Sequence, residues 1–81
     1  MSLAREVELT ADRLRQLSDA RLAAHAEAVY ALLEGMTERD VPRLSPRAWA
    51  DQLLLISGEV DGGQEFVEPV RQLRRRFDLT L

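Results

Sequence analysis

The feature that most constrains the fold is a long run of helical periodicity from Thr10 to Met36. Residues of one face recur there at spacings of three and four, which places them on one stripe of a helix with 3.6 residues per turn. The members of this large face are Ala11, Leu14, Ser18, Leu22, His25, Val29, Leu32 and Met36. Thr10 has the side chain of an N-cap, and Gly35 can end a helix in the left-handed conformation. The pattern predicts one continuous central helix over residues 10–36.

A second stripe of the same helix, the small face, consists almost entirely of small residues. Its members are Leu17, Ala20, Ala24, Ala28, Ala31 and Gly35. Small side chains let a neighbouring backbone approach closely, so we expect this face to be buried as well. Ser18 offers an alternative, because its hydroxyl can cap a new helix at Asp19 and break the long one.

Two further helices are predicted in the second half of the chain. Ser45 followed by Pro46 is a capping hydroxyl and then proline at the first helical position, which starts a helix over residues 46–57. Trp49 lies on the apolar stripe of that helix, so we expect it in the core rather than stacked on a ligand. The next helix is predicted over residues 65–77, where apolar residues step by four, three and four.

Both termini show the alternation of short extended segments. Val7 and Leu9 alternate with acidic residues near the start, and Leu79 and Leu81 alternate with polar residues at the end. At the start, Leu3 and Val7 would also fit an extra helical turn. The expected fold is an all-α domain of three helices with short extended arms at both termini.

The length bounds the domain count and the stability. A chain of 81 residues is a single domain, residues 1–81, and buries only about 60% of its unfolded surface. The chain has no cysteine, so disulfides cannot compensate. Small domains of this kind commonly gain stability by association, so we expect a homodimer. The sequence shows neither a secretory signal nor a membrane span, so we expect a cytoplasmic protein.

The composition argues against catalysis and against metal binding. A zinc site needs about four nitrogen or sulfur ligands, whereas the chain offers one histidine, His25, and no cysteine. We therefore expect a half-buried His25 that bonds to a backbone carbonyl or faces a partner. Ser18 would lie about 10 Å from His25 along a continuous helix, too far for a nucleophile and its base. We expect no enzyme activity and no cofactor.

A cluster of arginines near the end of the chain is the strongest candidate for a functional surface. It consists of Arg71, Arg74, Arg75 and Arg76. Placed at a helix C-terminus, with Glu65 and Glu68 at the start of the same helix, these charges complement the helix dipole. They would also suit an acidic protein or nucleic acid, although the net charge of −3 argues against general nucleic-acid affinity.

We predict a module that acts by protein contact, in an accessory or regulatory role, as a helical oligomer. The alternative is a nucleic-acid-binding regulator that uses the arginine cluster. The residues expected to bind a partner are Arg71, Arg74, Arg75, Arg76, Phe66, Leu73, Phe77, Leu79 and Leu81.

Overall fold

The computed structural model describes residues 2–60 and 62–79, and these are helices joined by short connections. The helices are α1 (Leu3–Gln16), α2 (Asp19–Ala23), α3 (Ala26–Thr37), α4 (Trp49–Gly58) and α5 (Val67–Asp78). Two 3₁₀ turns, Pro46–Ala48 and Gln64–Phe66, lead into α4 and α5. The predicted all-α class is confirmed, whereas the predicted count of three helices is wrong.

The continuous helix predicted over residues 10–36 is broken between α1 and α2 and again between α2 and α3. Leu17 and Ser18 are extended, with ψ of 150° and 154°, and the Ser18 hydroxyl accepts a hydrogen bond from the backbone N–H of Arg21 at 3.4 Å. The alternative break at Ser18 is therefore correct. An unbroken helix over residues 10–36 would be about 40 Å long. The domain is only 33 Å across its longest axis, so the chain must turn to keep its apolar face on one core.

The extended arm predicted at the N-terminus is also wrong, because α1 already begins at Leu3. Ser2 is the N-cap, and its side chain accepts from the backbone N–H of Arg5 at 3.2 Å. Thr10 lies within α1, where its hydroxyl donates to the carbonyl of Glu6 at 2.9 Å instead of capping a helix. At the other end Leu79 is in a turn that follows α5, while residues 80–81 of the predicted arm lie outside the described residues.

The helix that contains Gly35 does not stop there. It continues to Thr37, and Glu38 caps it in the left-handed conformation with φ of 57°. The backbone N–H of Glu38 donates to the carbonyl of Glu34 at 2.8 Å, which closes the last turn. The helices predicted over residues 46–57 and 65–77 are both present, each as a 3₁₀ turn followed by an α-helix.

The core lies where α1 and α3 each pack against α4 and α5. Its largest fully buried apolar side chains are Trp49, Tyr30, Phe77, Leu22 and Leu33. Trp49 is only 2% exposed, as expected for a core residue. Most of the large face is therefore buried even though three helices carry it. Ser18 is exposed at the first break, and His25 and Leu32 are half-buried.

The small face is not buried by the monomer as expected. Ala20, Ala24, Ala31 and Gly35 are all exposed, and Ala28 is half-buried. The three helices turn mainly their large face toward the common core, and the described residues leave the small face largely uncovered. An exposed row of small side chains therefore remains on α3.

Candidate interaction surfaces

Two of the predicted partner-binding arginines are directed into the molecule. Nε of Arg71 lies 2.8 Å from Oε1 of Glu6, and Nη1 of Arg74 lies 3.1 Å from Oε2 of the same carboxylate. Glu6 belongs to α1, and its side chain is 0% exposed. Each carboxylate oxygen thus accepts from a different arginine of α5, and the cluster joins the first and last helices of the fold.

Thr10 completes this buried ionic cluster. Its hydroxyl lies 3.4 Å from Nη1 of Arg74, and Nη1 is also 3.3 Å from the backbone carbonyl of Glu6. The hydrogen bond from Arg74 and that from Arg71 hold the pKa of Glu6 below its ordinary value, although burial acts in the opposite direction. Glu6 is therefore an ionised carboxylate whose charge is balanced within the chain.

The other two arginines lie on the exposed side of α5. Nη1 of Arg75 is 3.9 Å from Oε1 of Glu68, in the dipole-matched arrangement expected from the sequence, and the Arg75 side chain is 66% exposed. Arg76 is exposed as well and lines a groove described below. The four arginines therefore do not form one continuous basic surface.

The apolar residues predicted to bind a partner are also divided. Leu73 and Phe77 are buried in the monomer core, so their side chains contribute little accessible surface. Phe66 is half-buried, and Leu79 is 86% exposed. Leu81 lies outside the described residues.

A groove of about 400 Å³ runs between α3 and α5, and we call it the α3/α5 groove. The lining residues are Ala28, Ala31, Leu32, Gly35, Phe66, Pro69, Gln72, Leu73 and Arg76. Three of these belong to the small face and three belong to the predicted partner-binding set. A Cβ added at Gly35 would meet no atom within 4 Å, so the α3 wall is open to solvent at that turn.

A second apolar surface lies on the outside of α4. Leu54 and Leu55 are 36% and 69% exposed, and Leu44, in the connection before α4, is 52% exposed. Leu44 and Leu55 line one groove, of about 330 Å³. Leu54 lines another, of about 400 Å³, that reaches the start of α1. One side of α4 is therefore left uncovered by the described residues.

The connection that carries Leu44 is held by Tyr30, a residue that the sequence analysis missed. The Tyr30 hydroxyl accepts from the backbone N–H of Leu44 at 2.9 Å and from Nε1 of Trp49 at 3.1 Å. It also lies 3.2 Å from the carbonyl of Leu44 and 3.2 Å from Oε1 of Gln52, either of which can accept its proton. The guanidinium of Arg43 stacks 4.3 Å from the centre of the Tyr30 ring. The backbone at Leu44 is thus fixed while its side chain faces solvent.

His25 contributes to packing between α3 and α5. Its ring meets the Phe77 ring edge to face, with the centroids 5.2 Å apart, and its backbone N–H donates to the carbonyl of Leu22. Among the described residues, no three histidine, aspartate or glutamate side chains are grouped so that they could hold a metal ion. His25 is half-buried, as predicted from the sequence.

None of the helices in the described ranges combines the length and the apolar character that a membrane span requires. Comparisons of the chain with protein-family models, with curated proteins and with solved structures found no match.

Proposed function

We propose that the protein is a non-enzymatic accessory or regulatory module of the cytoplasm, and that it works by protein contact as a helical homo-oligomer. The observation that carries this proposal is the α3/α5 groove. Its lining is mainly apolar, its α3 side consists mostly of small residues, and the described residues leave it uncovered.

The groove suits a helix from a second copy. Ala31 and Gly35 lie one turn apart on the exposed side of α3, so another helix backbone can approach closely there. Phe66, which is half-buried, and Pro69, which is exposed, supply apolar area on the α5 wall. A two-fold axis would place the same small face on both partners, which is the usual self-complementary arrangement of homodimers.

The charges beside the groove favour association of two copies. Glu27 and Glu38 are exposed at the two ends of the small residues on α3, and Arg76 lies on the α5 wall. A two-fold pair in which Arg76 of one copy faces one of these acids of the other would gain from their opposite charges. Such rim charges influence specificity and association rate more than affinity.

The rival proposal, a nucleic-acid-binding regulator, receives less support. Arg71 and Arg74 are bonded to Glu6, so a nucleic acid would have to compete with a buried carboxylate for them. The net charge of −3 also opposes general affinity for phosphate. We therefore keep this function only as an outcome of the tests below.

The experiment compares Ala31→Glu with Ala23→Glu by size-exclusion chromatography with light scattering. Both alanines are exposed and helical, but only Ala31 lines the groove. We expect an oligomeric parent, an oligomeric Ala23→Glu and a monomeric Ala31→Glu, because an uncompensated charge in an apolar contact is costly. Far-UV circular dichroism checks that both variants remain helical. An Ala31→Glu protein as oligomeric as the parent would show that the groove is not the shared surface.

A further inference from the structure

The outer surface of α4 has the form of a ridge between two grooves. Leu54 and Leu55 project on either side of a line through Asp51 and Gly58, which are also exposed. A Cβ added at Gly58 would meet nothing within 4 Å, so the ridge ends in open space at the C-terminal turn of α4. A ridge with a groove on each side is the surface against which helices pack.

The charges around this ridge are mainly acidic. Asp51 and Glu59 are exposed at the two ends of the leucine pair, Glu8 lines the groove beside Leu54, and Asp40 lines the groove beside Leu55. Their basic neighbours are Arg39, on the second groove, Arg15, whose Nη2 is 3.3 Å from Oδ1 of Asp51, and Arg5, whose Nη1 is 3.8 Å from Oε2 of Glu8. The acids outnumber these arginines by one, so the surroundings of the ridge carry a small excess of negative charge.

We propose that the α4 ridge, together with Leu44, binds a cationic amphipathic helix of a second protein. Such a helix would place apolar residues at a spacing of three or four against Leu54 and Leu55, and lysine or arginine against the surrounding acids. A second copy of this chain fits less well at this surface. An antiparallel pair of α4 helices would bring Asp51 of one copy opposite Glu59 of the other.

The Tyr30 hydrogen bonds preorganise the part of this surface that carries Leu44. The Leu44 N–H donates to the Tyr30 hydroxyl, and Nε2 of Gln52 donates to the carbonyl of Pro42 at 3.0 Å, so the connection is tied both to α3 and to α4. A partner would therefore not need to order the backbone that carries Leu44. Preorganisation of this kind increases affinity by lowering the entropy lost on binding.

The test uses two synthetic helical peptides with the same length and the same leucine positions. One peptide carries lysine at every polar position and the other carries glutamate. Binding of each dye-labelled peptide is measured by fluorescence anisotropy with the parent chain, with Leu55→Gln and with Leu79→Gln. Leu79 was predicted from the sequence to bind a partner, but it lines neither the ridge grooves nor the α3/α5 groove, so this exposed leucine is the matched control.

We expect the lysine peptide to bind the parent and Leu79→Gln with equal Kd, and to bind Leu55→Gln about tenfold or more weakly. An Asp51→Asn, Glu59→Gln double variant should lose most of the salt dependence of this binding. The proposal is overturned if the parent binds neither peptide, if it binds both equally, or if Leu55→Gln binds as tightly as the parent.

Measuring the oligomeric state of the variants distinguishes this proposal from self-association through the α3/α5 groove. Leu55→Gln should have the same mass in solution as the parent. A shift of Leu55→Gln to the monomer would assign the ridge to a second copy and overturn the cationic partner. A monomeric parent that still binds the lysine peptide would leave the ridge proposal standing and remove the proposed homo-oligomer.

Discussion

Nε of Arg71, on the last helix, lies 2.8 Å from Oε1 of Glu6, on the first helix. Because Glu6 is fully buried and also accepts from Arg74, this contact holds the two ends of the fold together through one carboxylate. The same geometry explains why half of the arginine cluster does not face solvent.

Replacing Glu6 with Gln should lower the free energy of unfolding by roughly 1 to 3 kcal/mol, since two arginines would lose a charged partner. Glu8→Gln is the matched control, because Glu8 is an exposed acid on the same helix whose 3.8 Å pair with Arg5 is largely solvated. We expect Glu8→Gln to stay within about 0.5 kcal/mol of the parent. Urea unfolding at neutral pH measures both values, and equal stabilities for the two variants would contradict the role of Glu6.

The same contact predicts a pH dependence. The pKa of Glu6 in the folded chain is lowered by its hydrogen bonds to Arg74 and Arg71, so the unfolded state binds its proton more readily. The stabilisation is therefore complete above the ordinary glutamate pKa of about 4.3 and is lost as the pH falls through the lower, folded value. The stability gap between the parent and Glu6→Gln should be constant well above the ordinary glutamate pKa of about 4.3 and should shrink as the pH falls below it. A gap that widens on acidification would mean that the pKa shift has the opposite sign.

Tyr30→Phe should lower the free energy of unfolding by about 1 to 3 kcal/mol. The change removes one oxygen and leaves the N–H groups of Trp49 and Leu44 without that acceptor, which is the costly way to lose a hydrogen bond. Arg43→Gln is the control, because it removes the cation over the ring and keeps the hydroxyl. Amide hydrogen exchange at Leu44 should accelerate in Tyr30→Phe and change little in Arg43→Gln. Unchanged exchange in Tyr30→Phe would show that the hydroxyl does not hold this connection.

Two glycine substitutions should change stability in opposite directions. Gly63 has φ of 72°, and a Cβ there would lie 2.5 Å from Cδ2 of Leu3, so Gly63→Ala should destabilise the fold by about 1 kcal/mol or more. Gly35 lies within α3, and a Cβ there would meet no atom within 4 Å, so Gly35→Ala should stabilise by about 0.5 to 1 kcal/mol. Thermal melts of both variants measure these shifts. A Gly35→Ala variant that is destabilised under dilute conditions in which the chain is monomeric would indicate that the helix ends at Gly35 after all.

We expect the arginine cluster to contribute to the stability of the fold and not to bind nucleic acid. Arg74→Gln should destabilise because Arg74 reaches Glu6, whereas Arg75→Gln should stay within about 0.5 kcal/mol of the parent. We expect no binding of short DNA or RNA by the parent near physiological salt. Tight, salt-dependent binding that is lost in an Arg75→Gln, Arg76→Gln double variant would favour the nucleic-acid class instead.

The helical class and the apolar positions could be predicted from the sequence, because apolar residues recur at spacings of three and four whether the helix is continuous or broken. The break at Ser18 could be predicted only as an alternative. Its hydroxyl can cap a new helix locally, but whether the long helix breaks there depends on how far the packed core extends. The burial of Glu6 could have been predicted from the sequence. Once Leu3 and Val7 are taken as helical, Glu6 falls on the same buried stripe, and an acid there requires a partner.

The partners themselves could not be predicted. Arg71 and Arg74 are more than sixty positions from Glu6 along the chain, and no local pattern links them to it. The role of Tyr30 could not be predicted for the same reason. Tyr30 lies beside the predicted stripe, and its hydrogen-bond partners Leu44, Trp49 and Gln52 are 14, 19 and 22 positions away along the chain. The exposure of the small face also depends on tertiary packing, since only the packed helices show which stripe is covered.

Sedimentation equilibrium of the parent at micromolar concentration tests the proposed self-association most directly. The chain has a mass of 9.2 kDa, and we predict a species of at least twice that mass, which dissociates on dilution. A single 9.2 kDa species at every concentration would contradict the proposal that this protein works as a homo-oligomer.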